Sequence, residues 1–276
     1  MSISCCDMFM FPDLSQLQRQ HDLKVDTGGY SIWDISAVSD TRMLVTVWGE
    51  RKVRLVDSQT GRAVAHITLE HKPYTVCMLD NNTAVVALPL EKKVQFLNIH
   101  GDSLTLGRSL KVNGDVWGIA RIEEGLVVSY RSSPWLEVLA VNGTVLHRFT
   151  PAVMRAVFVW PSFIATSADN MVYVSDAGTS AITQLDSNLR VTKTFSDPML
   201  KKPYGLISVS ADQVLVCSRG KHGILLLCPS TGVITSILDQ QDGIKEPWAL
   251  TFSPSQRKLY VVPDDTSGRV QVFQQQ

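Results

Sequence analysis

Short apolar runs of one character recur along the whole chain: MLVTVW from Met43, TAVVAL from Thr83, GLVVSY from Gly125, MVYVSD from Met171, QVLVCS from Gln213 and KLYVVP from Lys258. Their spacing is 40 to 46 residues. They are rich in β-branched residues and alternate imperfectly, the pattern of strands buried on both faces. Helical periodicity is absent at useful length.

Two further landmarks keep step with these runs. An aromatic residue precedes each one, at Tyr30, Tyr74, Trp117, Trp160, Tyr204 and Trp248, with gaps of 43 or 44 residues. A tight polar turn follows, at Gly61, Gly101, Gly143, Asn188 and Gly232. Glycine and asparagine tolerate the positive φ that such turns require.

Each unit therefore reads as four strands. In the first they are Ile32 to Ser36, Met43 to Trp48, Lys52 to Asp57 and Ala63 to Leu69. Units of about 44 residues with four strands each are the signature of propeller blades. The expected fold is all-β, a six-bladed β-propeller of four-stranded antiparallel blades.

The sixth unit ends with RVQVF and has no fourth strand, while residues 17–25 (LQRQHDLKV) precede the first unit unassigned. This segment is expected to complete the last blade and remove the open edges on which other chains could pair. Residues 17–276 then form one propeller domain. Residues 1–16 form an N-terminal extension, expected to be poorly ordered.

Pro-aromatic pairs before the first strand (Pro73-Tyr74, Pro203-Tyr204, Pro247-Trp248) and third strands such as KVRLVD and KVQFLN resemble the NHL repeat. The resemblance spans about Leu17 to Gln276 and is strongest to the C-terminal propellers of tripartite-motif proteins. It implies a protein-binding platform, and in that family the substrate-recognition end of a ubiquitin ligase. The chain itself contains no CxxC pair and no sustained heptad, so it carries no RING. WD and kelch patterns do not recur.

Composition bears on partners. Lysine plus arginine and aspartate plus glutamate number 26 each, so no global field draws the chain to DNA or an acidic membrane. Five cysteines without CxxC spacing suit a reducing, cytoplasmic setting, with a Cys217–Cys228 disulfide as the minority option. No stretch has the length of a membrane span.

In a propeller, the loops entering the first strand and those joining the second to the third share one rim of the central channel, where partners dock. The cations expected there are Arg51, Lys52, Lys92, Lys93, Arg131, Lys201, Lys202, Arg219 and Lys221. Blades one and two read as basic on that rim, and blade six, with Asp264 and Asp265, as acidic. The first expectation is a protein partner on this rim.

The alternative is single-stranded RNA, with the lysine pairs on phosphates and Trp48, Tyr130 or Trp135 stacking on bases. The recurring aromatic residues are expected to be wedges between neighbouring blades. A third reading looks to the six-bladed lactonases, which hold a divalent metal in the channel. Here the first strands offer Asp34 and little else, and no GxSxG or HExxH occurs. The histidines are scattered singly. The expectation is therefore no metal, no cofactor and no enzymatic activity.

Overall fold

The computed structural model describes residues 14–132, 135–149 and 157–275. Cys5, Cys6 and most of the N-terminal extension lie outside the described residues. The six sheets each contain four antiparallel strands, in meander order in five of them. The inner strands are Ile32–Ala37, Val76–Met78, Val116–Ile122, Pro161–Thr166, Pro203–Ser210 and Pro247–Ser253. Each touches the inner strands on either side, and the sixth touches the first, so the sheets close into a ring.

Burial follows position within the blade. The second strand of blade one, Arg42–Val47, is buried at every residue but the first, whereas the outermost, Ala63–Thr68, buries only Ile67. The inner strands of each blade are covered on both faces by neighbouring blades. The outer strand meets solvent, and its apolar content drops accordingly. The core is thus a set of layers between blades: Leu44, Val53 and Leu55 meet Val86, Leu88 and Leu97 between blades one and two. Ile122, Val127 and Leu136 meet Ile164, Val172 and Val174 between blades three and four.

Ring closure uses the N-terminal segment. Leu17–Lys24 pairs antiparallel with Arg269–Gln275 as the fourth strand of blade six, with Leu23 opposite Val270. Leu14, in the short 3-10 turn before it, is buried against the layer between blades five and six.

A repeated polar device joins the blades near the axis. The inner strands of blades one, three and four each carry a bulge facing the second strand, leaving an N–H without a ladder partner. A hydroxyl from the second strand accepts it: Thr46 from Asp34 N–H at 2.9 Å, Ser129 from Gly118 N–H at 3.0 Å, Ser175 from Phe163 N–H at 3.2 Å. Thr46 then donates to the Tyr74 carbonyl of blade two at 2.7 Å. Ser129 likewise donates to the Pro161 carbonyl of blade four at 3.4 Å. The single polar residue in MLVTVW and in GLVVSY therefore stitches adjacent blades.

Two local expectations change. The turn in blade four places Leu189, not Asn188, at positive φ (61°), with Leu189 N–H donating to the Asp186 carbonyl. Cys217 sits opposite Ile224, and Cys228 lies at the far end of the same strand, so the register keeps the two thiols apart. No helix among the described residues is long and apolar enough to cross a membrane.

Leu23 is 3% exposed and fastens the closing strand to the core. Leu23→Ala should lower unfolding stability by about 2–5 kcal/mol in urea titration, the range for truncating a buried leucine. A change below about 1 kcal/mol would mean that the strand is not integral to the ring.

Candidate functional site

All six inner strands start on one rim, and there Tyr74, Trp117, Tyr204 and Trp248 turn inward, whereas Tyr30 and Trp160 are exposed. Trp33 of blade one has ring centroids 4.7 Å from Tyr74 of blade two, 6.1 Å from Trp117 of blade three and 4.8 Å from Trp248 of blade six. Trp248 in turn lies 4.2 Å from Tyr204 of blade five and 6.1 Å from Phe163 of blade four. Non-adjacent blades, such as one and three, can touch in this way only across the axis. The rings therefore plug the channel instead of wedging neighbouring blades apart.

This corrects the sequence expectation. Blade one contributes Trp33, three residues after the landmark Tyr30, because the chain from Gly28 to Ser31 turns Tyr30 outward to 47% exposure. Trp33 anchors the plug through its backbone as well, its carbonyl accepting the Trp248 indole N–H at 2.8 Å. Aromatic edges and faces alternate in the plug, the arrangement that ring quadrupoles favour.

Cations lie on this aromatic surface. The Arg131 guanidinium rests 3.9 Å from the Trp117 ring centroid and 5.2 Å from that of Trp160. Lys72 Nζ stands 3.4 Å from the Trp48 ring, which stacks on Trp33. Around them the rim exposes Tyr30, Leu90, Val159 and Trp160. Asp176, fully buried, holds the loop carrying Trp160 by accepting N–H bonds from Val159 and Trp160 while also capping Gly178 and Thr179.

The predicted basic residues reach this rim, but several are committed. Lys52 pairs with Glu50 at 3.5 Å and Lys93 with Glu91 at 2.8 Å. Arg219 bridges to Asp264 at 2.7 Å and Glu246 at 3.4 Å, so a cation of blade five offsets part of the acidic charge of blade six. Arg51 donates to the Glu70 carbonyl. Backbone bonds from Arg219 to Lys202 and from Gly220 to Lys201 bring those two lysines beside Arg219. Lys92, Lys201, Lys202 and Lys221 are exposed, and among the described residues none forms an ion pair.

Two residues expected to stack on bases are otherwise engaged. Tyr130 is fully buried, its hydroxyl donating to Glu137 at 2.7 Å, and burial pushes that hydroxyl's pKa up. Trp135 packs on Tyr130 at 5.4 Å.

Below the plug, the channel opens as a cavity of about 280 Å³ towards the opposite rim. Its walls come from all six inner strands and include Asp34, Cys77, Arg121 and Phe163. The Asp34 carboxylate accepts N–H bonds from Ile35 at 2.9 Å and from Val76 of blade two at 2.8 Å. Burial pushes its pKa up to about 7, and the two N–H donors offset only part of that rise. Burial also pushes the Cys77 thiol up to about 12, with Asp34 adding to the rise. Among the described residues, no group of three or more His, Cys, Asp or Glu side chains is placed to hold a metal ion.

Neither a family model nor a curated protein sequence matches the chain. Solved structures do. A streptogramin B lyase superposes with TM-score 0.69 at 11% identity, over 93% of this chain and 97% of that one. Virginiamycin B lyase from Staphylococcus aureus gives 0.66 at 12%, over 94% and 99%. Hydrazine synthase from Kuenenia stuttgartiensis gives 0.64 at 13%, over 91% and 96%.

Identities this low show the fold alone: a six-bladed propeller. They support neither an NHL repeat nor a tripartite-motif origin. They do overturn the expectation that the chain is not an enzyme, because lyases are built on this same ring from end to end. A fold that hosts catalysis gives no ground for excluding it.

Asp34 makes stability depend on pH. Its pKa rises from 3.8 to about 7 on folding, so between those values the folded state holds the extra proton. Relative to Asp34→Asn, wild-type stability should fall as pH rises from about 4 to about 7 and level off above, by at most about 4 kcal/mol. A flat difference across that window in chemical denaturation would show that the carboxyl titrates normally.

Proposed function

We propose that this propeller is a binding platform for a protein partner, taken on the rim where the aromatic rings converge. The observation that carries this reading is the convergence itself: rings from blades one, two, three, five and six meet on the axis, with Arg131 laid on Trp117 at 3.9 Å. Aromatic residues and arginine at the centre, with charged residues outside, are the composition of protein-binding hot spots. Tyr30, Leu90, Val159 and Trp160 add exposed apolar area beside that centre.

The charge pattern favours protein over RNA. Lys52, Lys93 and Arg219 are neutralised by neighbouring carboxylates, which weakens the continuous positive track that a phosphate backbone requires. The exposed Lys92, Lys201, Lys202 and Lys221 form the charged rim of the platform, suited to steering an acidic partner.

Trp160 is 47% exposed, so its removal leaves the core intact. Proteins captured from lysate on the wild-type propeller should bind it directly once purified. That binding should weaken at least tenfold with Trp160→Ala or Arg131→Glu and stay unchanged with Gln59→Ala on the opposite rim. Equal binding by all three variants would sink the reading, and capture abolished by nuclease would replace the protein partner with RNA.

A further inference from the structure

The cavity beneath the aromatic plug contains a carboxylate that, among the described residues, forms no ion pair. Asp34 is 8% exposed and lies in the cavity wall. Its two oxygens each accept one backbone N–H, from Ile35 and from Val76. A carboxylate offers about four acceptor positions, so capacity remains for a further donor on each oxygen. Among the described residues, the hydrogen-bond partners of this carboxylate are those two backbone N–H groups, and burial is the main cause of its raised pKa. Buried carboxylates are ordinarily paired with a cation or bound to a metal, because an isolated charge is costly to bury.

The other walls define what the missing partner must be. Ile119, Phe163, Leu206 and Leu250 supply apolar surface, and Thr75 and Thr251 supply hydroxyls already committed to the Trp117 carbonyl and the Ala37 N–H. A divalent metal ion would need several oxygen ligands, and Asp34 is alone as an acid. An organic cation fits both features, placing its charge on the carboxylate and its body on the apolar wall. The aromatic plug closes one end, so such a ligand enters from the rim opposite the proposed protein-binding face.

We propose that the axial cavity is a binding site for a small organic ammonium compound, with Asp34 receiving the ammonium group. The site is independent of the protein-binding rim. The ionisable groups lining the cavity are Asp34, Cys77 and Arg121, with Cys217 buried behind them. Burial keeps the Cys77 and Cys217 thiols protonated across neutral pH, and Arg121 stands at the solvent-exposed end of its strand. Asp34 is therefore the group that titrates near neutrality, and only its ionised form accepts the cation.

The test uses cyclohexylamine as probe, with cyclohexanol and cyclohexanecarboxylate as neutral and anionic counterparts, measured by calorimetry and thermal unfolding of the full chain. At pH 8 the amine should bind saturably and raise the midpoint of unfolding, and its two counterparts should not. Between pH 8 and pH 5 its affinity should fall roughly 100-fold, a factor of ten for each pH step below about 7. Asp34→Asn should abolish binding. Because that change also removes an acceptor from the Ile35 or Val76 N–H, Ser36→Phe provides a second variant that fills the cavity and leaves Asp34 in place. No saturable amine binding at pH 8, equal binding of the alcohol, affinity independent of pH, or retained binding in a folded variant would each overturn the site.

Discussion

Every blade of this protein is a sheet apolar on both faces, and such a sheet is stable only between two others. The second and third strands are buried almost throughout, so no blade can end the array without exposing a full apolar face. A ring satisfies all six blades at once. It also needs every sheet complete, and blade six takes its fourth strand from the beginning of the chain. Closure thus joins the two ends of the described chain in one sheet and makes the whole ring one cooperative unit.

The same packing dictates what lies on the axis. Inner strands brought this close leave a narrow channel, and the bulges that let them approach are satisfied by Thr46, Ser129 and Ser175 from the strand behind. Polar chemistry near the axis is therefore mostly spent on holding the ring together. Asp34 belongs to this system, since it ties blade one to Val76 of blade two, yet it is the member that carries a charge. Its raised pKa is the cost of burying a carboxyl beside these hydroxyls.

The two ends of the channel differ in kind. One is sealed by indole and phenol rings with Arg131 and Lys72 lying on ring faces, an amphipathic surface turned to solvent. The other is a cavity with the buried carboxyl of Asp34 in its wall and Arg121 at its exposed end. A large partner with its own apolar and acidic groups suits the first, and a small cation the second. The layer of aromatic rings separates these surfaces, so both can be occupied at once.

Blade number, strand order and the closing role of residues 17–25 were legible in the sequence, because they depend on local patterning repeated six times. The aromatic landmarks were equally visible, but their direction was not. Whether a ring points between blades or onto the axis depends on the turn before the strand, which is why Trp33 serves where Tyr30 was expected. Arg131 was found among the rim cations without its ring partners, and Asp34 was noted only as a lone acid. Ion pairs such as Arg219 with Asp264 join loops of different blades and leave no trace in sequence spacing. The sequence by itself determined the repeat, and hence the fold, because hydrophobic alternation is a local property. The tertiary structure alone decided the channel plug, the charge left on the rim and the isolation of Asp34, because each depends on groups far apart in the chain meeting at the axis.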